Sequence, residues 1–375
     1  MSGVQAAWYS NPPARRWRCE PPSGDPRLFH ASLPGYRPTE LAELPALADQ
    51  LNVGRVFVKD ESGRLGLGAF KVLGASWAVA RVLTGAAEVP DFTQLRQAAA
   101  RVRVELVTAT DGNHGRAVAY LARLLDLRAH VFIPDAAPAS AAAMIAAEGA
   151  TVTIVSEPYD AAVEQSARYA DAAAGRVLVQ DTAWPGYEQL PGWIVAGYET
   201  LFSEIDTQLA ERGVGGLDLL SVPVGVGSLA QAAVEHYRSG PPCPAADTAS
   251  GAGPAVLAVE PAAAACLLAC LRAGRYGSIE TGATVMAGLN CGTPSSLAWP
   301  ALVAGLDAAI AVPDQAATEA VADLGACGIS AGPSGAASLA GARAALTGEG
   351  SAERRAGLGA TESSVVVLLN TEGRS

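Results

Sequence analysis

The chain has 375 residues, half of them hydrophobic and 17% charged, with 37 acidic against 26 basic side chains and a formal net charge of −11. That length can bury a large core and favours two domains or one elaborated sheet. The acidic balance, with no basic arm or patch, excludes a phosphate backbone as partner, so no nucleic acid is expected, and no apolar run reaches membrane-spanning length.

The N-terminus, Met-Ser-Gly-Val-Gln-Ala-Ala-Trp, lacks the basic start and apolar segment of a secretory signal, which predicts a cytoplasmic protein. Residues 1–40 are rich in Pro, Arg and Trp without periodicity and read as an irregular arm, packed on the body or on a partner subunit. Residues 41–51 have helical spacing and lead into a short apolar strand at 55–58. The strand ends in Lys59-Asp60-Glu61, and a loop with glycines at 63, 66 and 68 carries the chain to Lys71, which opens a helix over 72–83.

Lys71 stands among Ala69, Phe70, Val72 and Leu73. An ammonium there is poorly solvated and faces the positive end of a helix dipole, and both effects favour the neutral amine. A neutral amine attacks a carbonyl to form a Schiff base, so the placement suits a nucleophilic lysine. Lys59 and Lys71 are the two lysines among the 26 basic residues, the rest being arginine, which cannot give up its proton. The competing reading is a surface lysine snorkelling from a helix start.

A polar helix is expected over 88–102, then strands at 104–109, 129–133, 151–155 and 177–180, alternating with helices from 115, up to 149 and over 159–173. This alternation predicts crossover units and a parallel sheet. Helical spacing resumes over 188–212, followed by a buried strand at 217–224, a helix at 228–238 and a Pro/Gly-rich surface excursion at 239–254. A strand at 255–259, several helices, a flexible stretch near 348–362 and a final strand at 365–369 complete the chain. Two strand and helix blocks joined near 195 predict a small inserted α/β domain over 93–195, with a large domain built from 1–92 and 196–375. The six cysteines are scattered without a Cys-x-x-Cys pair and the four histidines stand apart, so no metal site is expected. Cys266 and Cys270 share one face of a helix as small buried thiols.

Three constellations fall between a strand and the next element. Thr110-Asp111-Gly112-Asn113-His114-Gly115 lies at the carboxyl end of a strand, where ligands bind in parallel sheets. Asn113 suits a ligand oxygen and Asp111 a proton transfer or an ammonium, although a capped turn with a packed His114 would read the same way. Pro223-Val224-Gly225-Val226-Gly227-Ser228-Leu229-Ala230 suits a phosphate cradle at a helix start. It also fits the Gly-x-Gly-x-x-Ala form of a dinucleotide fingerprint, but Asp247 lies in the Pro/Gly excursion and Glu260 comes too late to be its acidic partner, so a single phosphate fits better. Gln180-Asp181-Thr182-Ala183-Trp184 ends a strand of the small domain, where Asp181 either faces a cleft or caps a turn. A Schiff-base lysine, an asparagine loop and a one-phosphate cradle together imply pyridoxal 5′-phosphate, with Lys71 on its C4′, Asn113 on its ring hydroxyl oxygen, and Gly225, Val226, Gly227, Ser228 and Leu229 around its phosphate.

These residues resemble the fold type II pyridoxal-phosphate enzymes, the group of the tryptophan synthase β-subunit and threonine dehydratase. Lys59-Asp60-Glu61-Ser62, Ala69-Phe70-Lys71-Val72-Leu73-Gly74, the Asn113 loop, Gln180 to Trp184, and Met286-Ala287-Gly288-Leu289-Asn290-Cys291-Gly292 with Pro294 and Trp299 are, more narrowly, similar to the diaminopropionate ammonia-lyases. The resemblance covers about residues 35–373. It implies an α/β fold of two doubly wound parallel-sheet domains with the cofactor in the cleft between them. It further implies a homodimeric carbon–nitrogen lyase that takes 2,3-diaminopropionate, a small amino acid, through an aminoacrylate intermediate to pyruvate and two ammonia. Lys71 and Asp111 are then the bases, Asp181 assists, and Thr371 contacts the pyridine nitrogen. Gly68 replaces the Asn usual before Ala-Phe-Lys, and Asn290 and Thr293-Pro294-Ser295 vary a segment near the substrate. These departures bear on the substrate, and the alternative is another β-eliminating or β-replacing, biosynthetic enzyme of the same fold. A nicotinamide oxidoreductase using Gly225 to Ala230, or a non-enzymatic binder, would differ in showing no lysine-bound cofactor.

Overall fold

The computed structural model describes residues 7–20, 24–85, 91–110, 112–157, 159–240 and 253–374. Their strands, in chain order, are β1 (Trp8–Ser10), β2 (Leu41–Glu43), β3 (Arg55–Asp60), β4 (Glu105–Ala109), β5 (Arg128–Pro134), β6 (Thr151–Val155), β7 (Arg176–Leu178), β8 (Leu219–Pro223), β9 (Ala255–Pro261), β10 (Ala308–Val312) and β11 (Val365–Asn370). The chain forms two compact units. The larger takes the described residues of 1–22, 39–62 and 201–374, and the smaller those of 23–38 and 63–200.

The larger unit is one seven-stranded sheet in the order β1-β10-β9-β8-β11-β3-β2. Its five central strands are parallel, while β1 and β2 pair antiparallel at the two edges. Leu-Leu-Ser-Val-Pro, Ala-Val-Leu-Ala-Val-Glu-Pro and Ala-Ala-Ile-Ala-Val in β8, β9 and β10 are buried along their whole length, as expected for parallel strands covered on both faces. The helix Pro333–Leu346 lies against β8, β9, β10 and β11. Its Ser-Gly-Ala-Ala-Ser-Leu-Ala-Gly face permits this close approach, and a Cβ on Gly341 would overlap Val259.

The smaller unit has a four-stranded, all-parallel sheet in the order β6-β5-β4-β7. Alternation along β5 divides its core between two faces. Val131 and Ile133 pack with Ala119 and Ile145 from the helices Asn113–Leu124 and Ala139–Ala147. Phe132 packs with Ala162, Val163 and Ala170 of the helix Tyr159–Asp171. This unit also contains the helix Val72–Thr84, which the sequence spacing assigns to the large domain. That helix packs on Gln189–Gly197 and Asn113–Leu124, and at the first crossing a Cβ on Gly74 would stand 2.7 Å from Ile194 Cγ2.

Several elements differ from the sequence expectation. Residues 41–51 are a strand followed by the helix Pro45–Leu51, because Pro45 sets the helix start and Leu41 is drawn into the sheet opposite Lys59. The span 188–212 is two helices, Gln189–Gly197 and Glu199–Glu211, separated at the buried Tyr198, whose ring packs 4.8 Å from Phe70. β1 emerges from the expected irregular arm, and β10 from a region expected to be helical. The stretch near 348–362 contains the helix Ser351–Leu358, anchored by the buried Arg354 guanidinium, which donates to the carbonyls of Ala345, Thr347 and Glu349. Most of the 239–254 excursion lies outside the described residues. Among the described residues no helix is long and apolar enough to cross a membrane.

Candidate active site

In the smaller unit, Lys71 occupies the N-cap position of the helix Val72–Thr84. The loop before it turns through left-handed conformations at Leu65, Gly66 and Gly68, and is held by Arg116 Nη1 donating to the Leu67 carbonyl at 3.0 Å. Lys71 Nζ lies 2.5 Å from Asp181 Oδ2, with side-chain exposures of 23% and 7%. The neutral amine expected from the apolar flanks is thus answered by a nearby carboxylate, which offsets the helix dipole and favours the ammonium.

Asp181 is held by its neighbour Gln180. Gln180 Oε1 accepts from Thr108 Oγ1 and the Ala109 amide, both at 3.0 Å, while its Nε2 donates to Tyr159 Oη at 2.9 Å and reaches Asp181 Oδ1 at 3.4 Å. The Gln180 amide donates to Tyr187 Oη, which in turn donates to the Leu178 carbonyl, both at 2.9 Å. Burial alone would raise the Asp181 carboxyl, but Lys71 beside it brings it down to about 2. Tyr198, also near this pair, has its hydroxyl pushed up by burial.

His114 joins Lys71 and Asp181, although the sequence reading left it as a packing residue. It is buried, its Nε2 lies 2.7 Å from the Val179 carbonyl, and its Nδ1 lies 3.8 Å from Asp181 Oδ2. Burial pushes its pKa down. Asn113 opens the same helix one residue earlier, after Gly112 at the N-cap. Asp111, expected as a base, lies outside the described residues.

In the larger unit, Gly225 to Leu229 run from β8 into the helix Ser228–Arg238. Gly227 has φ +99, and a Cβ there would stand 2.9 Å from Leu302 Cδ1. A Cβ on Gly225 would crowd Cys291 Sγ at 3.1 Å and the Gly288 carbonyl at 3.2 Å. Position 227 therefore needs glycine and Gly225 is tightly packed, and the bare backbone leads into a first helical turn whose amides have no intrahelical acceptor. This is the geometry a phosphate requires, so the turn fits the phosphate of pyridoxal 5′-phosphate. Glu260 is engaged elsewhere, accepting from the Leu267 and Leu268 amides at 2.8 and 2.7 Å, and burial pushes it up to about 8. A buried acid capping another helix is a poor ribose ligand, which weighs against the dinucleotide alternative.

Thr371 follows β11 and is buried. Its neighbour Asn370 donates to Asp60 Oδ1 at 2.8 Å and to the Ser330 carbonyl at 3.1 Å, fixing the end of the strand. The structure also brings in two residues the sequence reading missed. Ser334 opens the helix Pro333–Leu346 with a buried hydroxyl that has no hydrogen-bond partner among the described residues, and its amide donates to Glu372 Oε1 at 3.3 Å. A Cβ on Gly288 would lie 3.3 Å from Ser334 Oγ and 3.7 Å from Glu372 Oε2, so both residues border the 286–292 segment. The sequence signal for Ser334 was its place after a helix-opening proline.

Comparison with known proteins adds to this geometry. A family model of pyridoxal-phosphate dependent enzymes matches residues 32–369. The chain is 39% identical over 283 residues to the diaminopropionate ammonia-lyase of Salmonella typhimurium, covering 72% of this chain and 68% of that one. It is 37% identical over 284 residues to the Escherichia coli enzyme of the same name, covering 74% and 68%. The crystal structure of the Escherichia coli enzyme in complex with D-serine superposes with a TM-score of 0.85 at 30% identity, over 98% of this chain and 94% of that one.

Proposed function

The chain belongs to the pyridoxal-phosphate dependent enzymes, and we propose that within them it is a lyase that eliminates ammonia from 2,3-diaminopropionate and, with one water consumed, yields pyruvate and two ammonia. The observation that carries this reading is the Lys71–Asp181 pair, a lysine at a helix start held 2.5 Å from a buried carboxylate. Lys71 would hold the cofactor covalently, Asn113 its ring hydroxyl oxygen, the Gly225, Val226, Gly227, Ser228 and Leu229 backbone its phosphate, and Thr371 its pyridine nitrogen. When bound, pyridoxal phosphate supplies an electron sink for the carbanion left by loss of the α-proton.

The chain's own groups handle the protons. Lys71 Nζ takes the α-proton of the L-enantiomer, and Asp111 that of the D-enantiomer. An amine departs poorly unless protonated, so a carboxylate that holds a β-ammonium favours a diamino substrate over a hydroxy amino acid. Asp181, within hydrogen-bond reach of Lys71 Nζ, assists by receiving and returning the lysine's proton. The proposal extends to a homodimer, the form the family resemblance implies, acting on this small amino acid in the cytoplasm. Sedimentation of the holoenzyme should then give twice the mass of one chain.

The test is pyruvate release from each enantiomer by wild type and Asp111→Asn. Wild type should release pyruvate from both. The variant should lose on the order of 10²–10⁴ in rate with the D-enantiomer and less with the L-enantiomer, for which Lys71 remains. Equal losses would defeat the two-base assignment, and no pyruvate from wild type with either enantiomer would defeat the substrate.

A further inference from the structure

We propose that His114 is a positioning residue for Asp181: its Nδ1 accepts the hydrogen of the Asp181 carboxyl when that group takes a proton from Lys71. The inference deepens the function proposed above and rests on it for the roles of Lys71 and Asp181. His114 Nε2 lies 2.7 Å from the Val179 carbonyl. A carbonyl can only accept, so Nε2 carries the ring hydrogen and Nδ1 is left with a lone pair. Burial resists a second proton on the ring, which keeps it neutral. Among the described residues Nδ1 is buried without a hydrogen-bond partner, and it lies 3.8 Å from Asp181 Oδ2, the oxygen that also meets Lys71. A buried acceptor with no donor calls for a reason.

The reason is visible when the proton moves. The N–H bond of the Lys71 ammonium breaks and an O–H bond forms on Asp181 Oδ2, leaving a neutral amine and a neutral carboxylic acid with no other reactant. The new O–H has an acceptor at Nδ1, and an approach of about 1 Å brings that contact to ordinary hydrogen-bond length. With Asp181 ionised, the lone pair of Nδ1 faces a carboxylate and gains nothing. His114 thus stabilises the arrangement in which Lys71 is a free amine, the form that bonds a carbonyl or takes an α-proton. An imidazolium at 114 would do the opposite and hold Asp181 ionised. Among the described residues, the other titratable groups facing the pair are the hydroxyls of Tyr198 and Tyr187, both pushed up by burial and so protonated across neutral pH, while the Gln180 side-chain amide reaches the other Asp181 oxygen at 3.4 Å.

The test begins with nitrogen-15 NMR of the full chain, with and without cofactor. The sequence has four histidines, so labelled histidine gives few ring signals, and His114→Gln assigns those of His114. The expected spectrum of the cofactor-free chain shows a neutral ring at 114 with its hydrogen on Nε2. Asp181→Asn presents an N–H donor in place of the acid's O–H, and the Nδ1 signal should shift as it gains a bond. In the holoenzyme, His114→Gln keeps a donor for Val179 but takes the acceptor away from the Nδ1 position. It should lower kcat about tenfold, less than the roughly 10²–10⁴ cost of losing a base, with KM nearly unchanged. Asp181 loses the partner of its acid form, so the acid limb of the kcat profile should move to lower pH. An imidazolium or an Nδ1–H tautomer at 114, a silent Nδ1 in Asp181→Asn, or an unmoved acid limb in folded His114→Gln overturns the proposal. Failure of the substrate assignment would appear as absent pyruvate while the NMR result stood.

Discussion

At the scale of single residues, the two lysines show how placement separates identical chemistry. Lys59 is fully buried, paired with Glu204 at 2.6 Å and donating to the Thr39 carbonyl and Gln208 Oε1 at 2.8 and 2.9 Å. Lys71 is partly exposed and has a carboxylate that can take its proton. Borohydride reduction of the holoenzyme should therefore fix the cofactor to Lys71 alone, and peptide mapping that finds it on Lys59 would refute the assignment. Asp181 makes a second prediction. Its carboxyl lies below its ordinary value of 3.8, at about 2, so its contribution to stability is complete above the ordinary value and is lost as pH falls toward the lower one. Urea unfolding at stepped pH should show wild type more stable than Asp181→Asn at neutral pH, with the gap closing between about pH 4 and pH 2. A gap that does not change over that window would mean the ion pair is not coupled to folding. Lys71 and Asp181 stood out in the sequence because one is a charge among apolar flanks and the other a carboxylate at a strand end. His114 was not, since a histidine that packs and one that faces a carboxylate have the same sequence signature until the fold brings Val179 and Asp181 to its two nitrogens.

At the scale of elements, the glycine turn between β8 and its helix is the clearest case of backbone dictating residue. Gly227→Asp faces a left-handed φ, a clash with Leu302 and a negative charge beside the anion the turn suits. The variant should remain folded but bind pyridoxal phosphate at least tenfold more weakly, a loss of about 1.4 kcal/mol, by fluorescence titration. Unchanged affinity would place the phosphate elsewhere. Parallel strands such as β5 and β8 were legible from their apolar runs, bounded by turns and followed by helices. The short edge strands were not. β1 and β2 have three residues each, too few for a period, and exist because neighbouring strands offer them hydrogen bonds. The alanine-rich sequence of β10 carries a helical propensity that pairing with β9 overrides. The helix Ser351–Leu358 looked flexible by composition because the anchoring role of Arg354 is set by carbonyls of the preceding helix.

At the scale of the whole molecule, the alternation of strands and helices announced parallel pairing in two blocks, but not how the chain is shared between them. The chain passes between the units after residues 22, 38, 62 and 200, so each unit is assembled from separated segments and sequence proximity misleads there. In the larger unit, Thr39, Lys59, Glu61, Glu204 and Gln208 gather close to those crossings. Thr39 Oγ1 donates to Glu61 Oε1 at 2.6 Å, Gln208 Nε2 donates to the Thr39 carbonyl at 2.8 Å, and Lys59 supplies the cation to Glu204. Three segments distant in sequence are thereby tied by one buried polar network, whose worth lies in being complete. Lys59→Met fills the volume but takes the Lys59 cation away from the buried Glu204, which should cost about 3–5 kcal/mol in chemical denaturation. Lys59→Met combined with Glu204→Met removes both charges and should recover most of that loss, leaving the cost of the hydrogen bonds to Thr39. A single variant as stable as wild type would mean that water reaches Glu204. A double variant no better than the single would mean that the hydrogen bonds of Thr39 and Gln208, rather than the ion pair, hold the three segments together.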